Sequence, residues 1–359
     1  MAKKKKNNKK VFVGLSGGVD SSVAALLLKK QGYDVTGVFL RCFNVDGCAK
    51  HDAEDARRVA EHLNIPFYTF DLEEEYKQKV VNYMIKEYRE GLTPNPDVAC
   101  NREIKFGLFM DKALEMGADY IATGHYVKLL KKEEYYSLYI AEDGNKDQSY
   151  FLWKLNQEDL KKSLFPVGDY PKPKVREIAR EANLSTADKK DSQGICFLGQ
   201  VDLKDFLKDY IPPSKGDVLD TKGNKIGEHE GVQYYTIGQR HVGVDNPKSS
   251  KKGETKPYYV AEKNVEDNTL IMAEGKDNPA LFKEKINLRD INFIRPIEFD
   301  ELNVKARVRY RQPLFDAVLK NNDGDINLKF ENSQKFIAPG QSAVFYASDG
   351  ECLGGGVIK

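Results

Sequence analysis

None of the cysteines of this chain stands in a C-x-x-C pair, no apolar run approaches the roughly eighteen residues of a membrane span, and neither charge sign dominates. Cys42, Cys48, Cys100, Cys196 and Cys352 form an odd set without secretory context, which argues against a disulfide framework and a zinc ribbon. The spacing of Cys42 and Cys48 matches no cluster motif and gives no support to an iron–sulfur cluster. With 56 basic and 55 acidic residues the net charge is +1, and six lysines fall within the first ten residues, so the rest of the chain is net acidic. A global nucleic-acid signature is therefore missing, and any nucleic acid must be held by local clusters such as Arg307, Arg309 and Arg311, or Lys172, Lys174, Arg176 and Arg180. No signal peptide is visible, no membrane partner is implied, and the expected compartment is the cytoplasm. Internal repeats are not evident.

What is present is a phosphate loop. Val11-Phe12-Val13 reads as a buried strand, Gly14-Leu15-Ser16-Gly17-Gly18 as a glycine-rich turn, and Val19-Asp20-Ser21-Ser22 as the entry to a helix that stops at Gly32. Glycines let backbone N–H groups close on an anion, and the helix directs its positive end to the same place. Asp20 is the candidate Mg²⁺ ligand. No Lys-Ser or Lys-Thr pair follows the glycines, which disfavours γ-phosphoryl transfer. Ser-Gly-Gly-x-Asp-Ser resembles instead the pyrophosphate loop of enzymes that cleave ATP between the α and β phosphates.

Beyond the loop, Asp34 to Leu40 and Ile65 to Leu72 read as strands, and His51 to Asn64 and Glu73 to Glu90 as helices. This alternation predicts an α/β domain with a doubly wound parallel sheet and a ligand site beyond the carboxyl ends of its strands. Leu92 to Asn101 reads as a proline-stiffened polar loop ending in the Cys100 thiol. Arg102 to Met116 is expected to be a helix, Asp119 to Tyr126 a strand with His125 at its end, Tyr135 to Ala141 an edge strand, and Lys174 to Ala182 a helix. Asn246 to Lys256 reads as a mobile loop. Short strands after Pro213 indicate a small β-rich domain, and six alternating strands from Ile291 to Ile358 a compact β-barrel. The expected division is a disordered basic tail over 1–10, an ATP pyrophosphatase and catalytic domain over 11–205, the β-rich domain over 210–280 and the barrel over 284–359.

Thr93-Pro94-Asn95-Pro96-Asp97 ahead of Cys100, Ala122-Thr123-Gly124-His125-Tyr126, Gly194-Ile195-Cys196-Phe197, Tyr235 to Arg240, Arg309-Tyr310-Arg311-Gln312 and Pro339 to Ala343 occur in this order. Together they make the chain closely resemble the tRNA-specific 2-thiouridylases over nearly its full length. The resemblance implies that the 2-oxygen of a tRNA wobble uridine is adenylated and then displaced by sulfur relayed as a persulfide. It implies ATP binding by Gly14, Leu15, Ser16, Gly17, Gly18, Val19, Asp20, Ser21, Leu40 and Gly124. It makes Cys196 the persulfide carrier, Cys100 the partner thiol and Asp97 the acid–base carboxylate beside the base. Asn95, Pro96 and Asp97 would meet the flipped base, with His125, Lys146, Asp147, Gln148, Arg309, Tyr310 and Gln341 around the tRNA. Cys100 would either form a disulfide with Cys196 as hydrosulfide is released, or only protonate and position while the persulfide attacks.

The implied cofactors and partners are ATP, Mg²⁺, persulfide sulfur from a relay protein or cysteine desulfurase, and the anticodon stem-loop of tRNA. Leu40-Arg41-Cys42-Phe43 departs from the family, which usually carries Met and then basic-Asn-Trp. A synthetase using the same loop with ammonia is the alternative, although no glutaminase domain is visible. A non-catalytic RNA-binding module would not need two thiols among polar residues.

Overall fold

The computed structural model describes residues 8–45, 47, 49–191, 197–199, 201–240, 242, 256–322 and 324–359. Cys48, the Gly194-Ile195-Cys196 segment, most of the lysine tail and all of 246–255 lie outside the described residues.

The first strand, β1 (Lys10–Gly14), is apolar at consecutive positions because it is covered on both faces, with Val11 and Val13 fully buried. It leads through the glycine turn into α1 (Val19–Lys30), followed by β2 (Asp34–Arg41), α2 (Ala49–His62) and β3 (Phe67–Asp71). The next helical run is α3 (Glu73–Tyr76), a π-helical turn over Lys77–Val81 and α4 (Asn82–Arg89). A second run is α5 (Pro96–Cys100), a π-helical segment over Asn101–Leu108 and α6 (Phe109–Glu115). Then come β4 (Tyr120–Ala122), the hairpin β5 (Lys128–Lys131) and β6 (Tyr136–Tyr139), α7 (Gln157–Lys161), β7 (Ser163–Leu164), α8 (Lys172–Glu181) and α9 (Leu203–Lys208). The parallel sheet has the order β3-β2-β1-β4-β7, so the strand order reverses between β1 and β4 and opens a crevice at their carboxyl ends.

The middle sheet combines β8 (Gly216–Asp220), β9 (Lys225–His229), β10 (Tyr258–Asn264) and β11 (Thr269–Glu274). The last unit is a closed antiparallel barrel of β12 (Phe282–Phe293), β13 (Glu301–Arg307), β14 (Phe315–Asn322), β15 (Asp325–Lys335), β16 (Ser342–Tyr346) and β17 (Glu351–Ile358). The α/β fold class followed by β-rich units is as the sequence predicts.

Four expectations are corrected. Cys100 lies on a helix and not on a loop, because Pro96 takes the first helical position, where its missing N–H costs nothing, and the Asn95 side chain caps the helix through Val98 N–H. The strand expected over Tyr135 to Ala141 is not an edge strand: β6 lies between β5 and β17 and so joins the barrel sheet, where Cys352 pairs with Leu138. The strand expected from Val304 to Arg311 ends at Arg307, and the expected long strand through His125 is only Tyr120–Ala122.

Candidate active site

At the crevice, Gly17 adopts φ +72°, and a Cβ there would lie 2.4 Å from Asp52 O. Only glycine allows the turn to run this close to α2. The Ser21 hydroxyl accepts the Ser16 N–H and donates to Gly18 O, and the Ser22 hydroxyl also donates to Gly18 O at 2.8 Å. No side chain caps the start of α1, so its first-turn amides have no side-chain capping partner, the condition under which a helix start can take an anion. Gly124, just past β4, approaches so closely that a Cβ would lie 2.6 Å from Ser21 N. Leu40 is half-buried at the end of β2, paired with Phe70.

Asp20, the second residue of α1, accepts hydrogen bonds from the Tyr126 hydroxyl at 2.7 Å and from Lys172 Nζ at 2.7 and 2.8 Å. Burial, with Asp20 second, holds the Tyr126 phenol far above its ordinary range. The same ammonium reaches Asp191, which also binds Lys146 at 2.6 Å and Arg176 at 2.7 Å. Burial pushes the Asp191 carboxyl up, but the bonds from Lys146 and Lys172 outweigh it and hold it at about 2. Sequence reasoning missed these partners of Asp20 because Lys172 lies 152 residues away and Tyr126 lies 106 away, beyond any local pattern.

This arrangement also dissolves the expected basic cluster on α8. Lys172 is buried against Asp20, Arg176 donates to Ala187 O and Lys189 O, Lys174 pairs with Glu177, and Arg180 pairs with Asp188. The three-arginine strand face is dissolved as well. Arg307 is buried in an ion pair with Asp147 over the Tyr346 ring, Arg309 donates to Ile237 O, and Arg311 is exposed over the Tyr310 ring.

Asp97 and Cys100, three residues apart on α5, share one helix face. Burial raises the Asp97 carboxyl, opposed by Lys105. Cys100 is 4% exposed; burial raises its thiol, Lys105 opposes that, Asp97 adds to it, and the Tyr76 hydroxyl bonds to the sulfur. Tyr76 meets Phe197 edge-on at a 5.8 Å centroid separation, so Phe197, the described chain neighbour of Cys196, packs against a partner of Cys100.

The approach to α5 is held by all three units. Thr93 N–H donates to Pro339 O, the Gln341 amide donates to Thr93 O and Pro94 O, and the Thr93 hydroxyl lies 3.5 Å from that of Thr236. Gly340 at φ +91° permits this contact, since a Cβ would meet Thr93 N at 2.8 Å. In the nearby turn, Lys146 is tied to Asp191, Asp147 to Ser149 and Arg307, and Gln148 accepts from Tyr126 N–H. Tyr310 packs on Phe151 at 4.5 Å between ring centroids.

His125 is buried against Phe106 and Phe165, with Nδ1 2.7 Å from the Thr123 hydroxyl. Burial, with Lys105 second, holds the imidazole well below 6.5. The unfolded imidazole gains a proton as pH falls through 6.5 while the folded one stays neutral, so stability is full above that value and drops below it. Its contribution to the slope is at most about 1.4 kcal/mol per pH unit. Urea midpoints at pH 7 and pH 5.5 are expected to differ less for His125→Asn than for wild type; parallel shifts would contradict a neutral buried imidazole.

Residues 9–200 match the family model described as tRNA methyl transferase HUP domain, 204–274 that of the tRNA methyl transferase PRC-barrel domain, and 283–358 that of the aminomethyltransferase beta-barrel domain. Proteins named tRNA-specific 2-thiouridylase MnmA from Francisella tularensis subspecies holarctica and novicida are each 46% identical over 360 residues, covering 98% of this chain and 99% of theirs. The chain belongs to the tRNA-specific 2-thiouridylase family. A solved 4-thiouridine synthetase–RNA complex with bound ATP aligns with 54% of this chain and 46% of its own at 19% identity and a TM-score of 0.35, a likeness too slight to argue from.

The phosphate loop and the 146–148 turn are joined by direct bonds through Tyr126, Lys172 and Asp191, and none of these bonds reaches Asp97 or Cys100 on α5. Cys196 lies outside the described residues. Among the described residues no group of three or more His, Cys, Asp or Glu side chains is arranged to hold a metal ion, and no helix is long and apolar enough to cross a membrane.

Proposed function

We propose that this chain uses ATP to replace the 2-oxygen of the tRNA wobble uridine with sulfur. The observation that carries the reading is the full-length identity of 46% to proteins named for that thiolation. The uncapped start of α1 beside two close-packed glycines supports phosphate binding there. In the proposed reaction the uridine 2-oxygen attacks the α-phosphorus of ATP, the bond to the bridging oxygen breaks, and pyrophosphate leaves with the electron pair. Sulfur then attacks the 2-carbon, and AMP departs with the old oxygen, because a phosphate ester leaves far more readily than a carbonyl oxygen. The S–S bond of the persulfide is broken by a thiolate, either that of Cys100, which leaves a Cys100–Cys196 disulfide, or that of an external thiol, which leaves a mixed disulfide on Cys196, and a further external thiol reduces the disulfide.

Asp20 suits Mg²⁺, which binds through one or two carboxylates and the substrate's own phosphates and needs no all-protein cage. When bound, the ion neutralises phosphate charge. The half-buried Asp97, its carboxyl raised by burial, is suited to hold and exchange a proton at the base. Cys100 in its buried state is a neutral thiol at neutral pH, able to protonate and position; attack on a persulfide requires first losing that proton. Cys196 is assigned the persulfide, supplied by a cysteine desulfurase or relay protein, and the cytoplasm is the compartment.

Asn95 and Pro96 at the start of α5, with His125, Lys146, Asp147, Gln148, Arg309, Tyr310 and Gln341, are the proposed tRNA contacts. Arg309 bridges to Ile237 O, and if it also contacts a tRNA phosphate, Arg309→Ala is expected to weaken tRNA binding and lower the salt slope by about one. An unchanged slope would restrict Arg309 to the contact with the middle unit.

Product analysis tests the ATP chemistry. Turnover is expected to yield AMP and pyrophosphate without ADP, and Asp20→Asn to lose most of it. ADP as the main product would exclude adenylation.

A further inference from the structure

We propose that Lys172 is the cation that receives the pyrophosphate released from ATP. The inference rests on the ATP-cleaving reading above and adds to it a residue outside the loop. From Gly14 to Ser22 the loop contains no basic side chain, and the first lysines of α1 are Lys29 and Lys30 in its last turn. Helix-start amides present only about half an elementary charge, too little to balance a departing pyrophosphate. Even with Mg²⁺ held at Asp20, a departing pyrophosphate of about three negative charges leaves room for a cation supplied by the fold itself.

Lys172 brings one there. It begins α8, which packs along α1, and its side chain is 9% exposed. The ammonium is shared by both oxygens of Asp20 and one of Asp191, and it lies 5.7 Å from the centre of the Tyr126 ring. As stabilisation this arrangement is poor. A buried ion pair seldom repays its desolvation, and a cation at the positive end of α1 is disfavoured by the helix dipole. Both penalties turn into gains once an anion occupies the same place.

Binding of ATP then becomes an exchange of partners in which charge is conserved. Asp20 gives up the ammonium and Lys172 takes phosphate oxygen, while Asp191 keeps Lys146 and Arg176 and so still anchors the cluster. During adenylation Lys172 donates hydrogen bonds to the oxygens that gain the electron pair as the α-phosphorus bond breaks, and it transfers no proton. Its contacts are to the part of ATP that AMP lacks.

The test compares wild type with Lys172→Met in the full-length chain, measuring Kd for ATP, inorganic pyrophosphate and AMP by calorimetry, with thermal unfolding alongside. Losing a charge-assisted hydrogen bond is expected to weaken ATP and pyrophosphate about 10- to 100-fold. AMP should stay within about twofold, since the group that binds it is untouched. If the methionine variant melts early, Lys172→Gln, whose amide can still bond to Asp20, gives the same comparison. Unchanged pyrophosphate binding in a folded variant, or an AMP loss equal to the ATP loss, would overturn the role. Wild type that binds neither ATP nor pyrophosphate would remove the ATP reading itself, a distinct failure.

Discussion

Replacing Cys100 or Cys196 with serine is expected to lower tRNA thiolation by on the order of a thousandfold or more, with tRNA binding retained. Serine keeps the size of the side chain and removes the sulfur, so binding and sulfur transfer separate. For Cys100 the change is mild in packing terms, because a hydroxyl fits the site beside Tyr76. Slow adenylation is expected to persist, since the phosphate loop belongs to different elements from α5. The trapped intermediate distinguishes the roles: persulfide should accumulate on Cys196 in Cys100→Ser. Persulfide found on Cys100 in Cys196→Ser would reverse the assignment, and full thiolation by either variant would reduce that cysteine to an inert small hydrophobe.

The second large effect belongs to Gly124→Ala. A methyl group there would press on Ser21 N at 2.6 Å and on Asp20 C at 2.8 Å, and both are backbone atoms at the start of α1. A flexible side chain could turn away, whereas the first turn of a helix packed on the sheet cannot. Either the turn after β4 or the phosphate loop must move, at a cost of about 1–3 kcal/mol in stability. Displaced amides lose their alignment on the phosphates, so ATP affinity is expected to fall on the order of a hundredfold. Gly144→Ala is the control, because a Cβ there meets nothing within 4 Å and stability should stay within about 0.5 kcal/mol. Wild-type ATP affinity in Gly124→Ala would show that the crevice between β1 and β4 is not where the nucleotide sits.

What was legible in the sequence was what short-range chemistry determines. β1 announced itself by consecutive apolar residues, the phosphate loop by glycines at positions where backbone approaches backbone, and the barrel by alternation. Two prolines ahead of Cys100 suggest a stiff loop, whereas the thiol lies on a helix. Asn95 followed by Pro96 is equally a cap and first helical residue, a signal that was available. The arginines show another limit. A spacing of two places side chains on one face only while the strand lasts, and β13 ends at Arg307, where the Gln312 side chain accepts from Val308 N–H and the chain turns. The pairs Asp20–Lys172 and Asp147–Arg307 join residues far apart in sequence. Nothing local distinguishes such lysines and arginines from solvated surface charges.

The β5–β6 hairpin teaches the same lesson at the level of domains. Its alternation is real, but its partner β17 lies more than two hundred residues later, so one sheet is built from the first and last units. With Gln341 and Gly340 closing on Thr93, the barrel is part of the wall beside α5.

Sulfur insertion into tRNA at the expense of ATP can be read out by mass analysis of nucleosides. Unmodified tRNA is incubated with the full-length chain, ATP, Mg²⁺ and a persulfide source, digested, and its wobble nucleoside weighed while AMP and pyrophosphate are counted. The expected product is a wobble uridine carrying sulfur in place of one oxygen, with AMP and pyrophosphate formed in step with it. A wobble nucleoside of unchanged mass in tRNA that binds the chain, with ATP intact or converted to ADP, would contradict it.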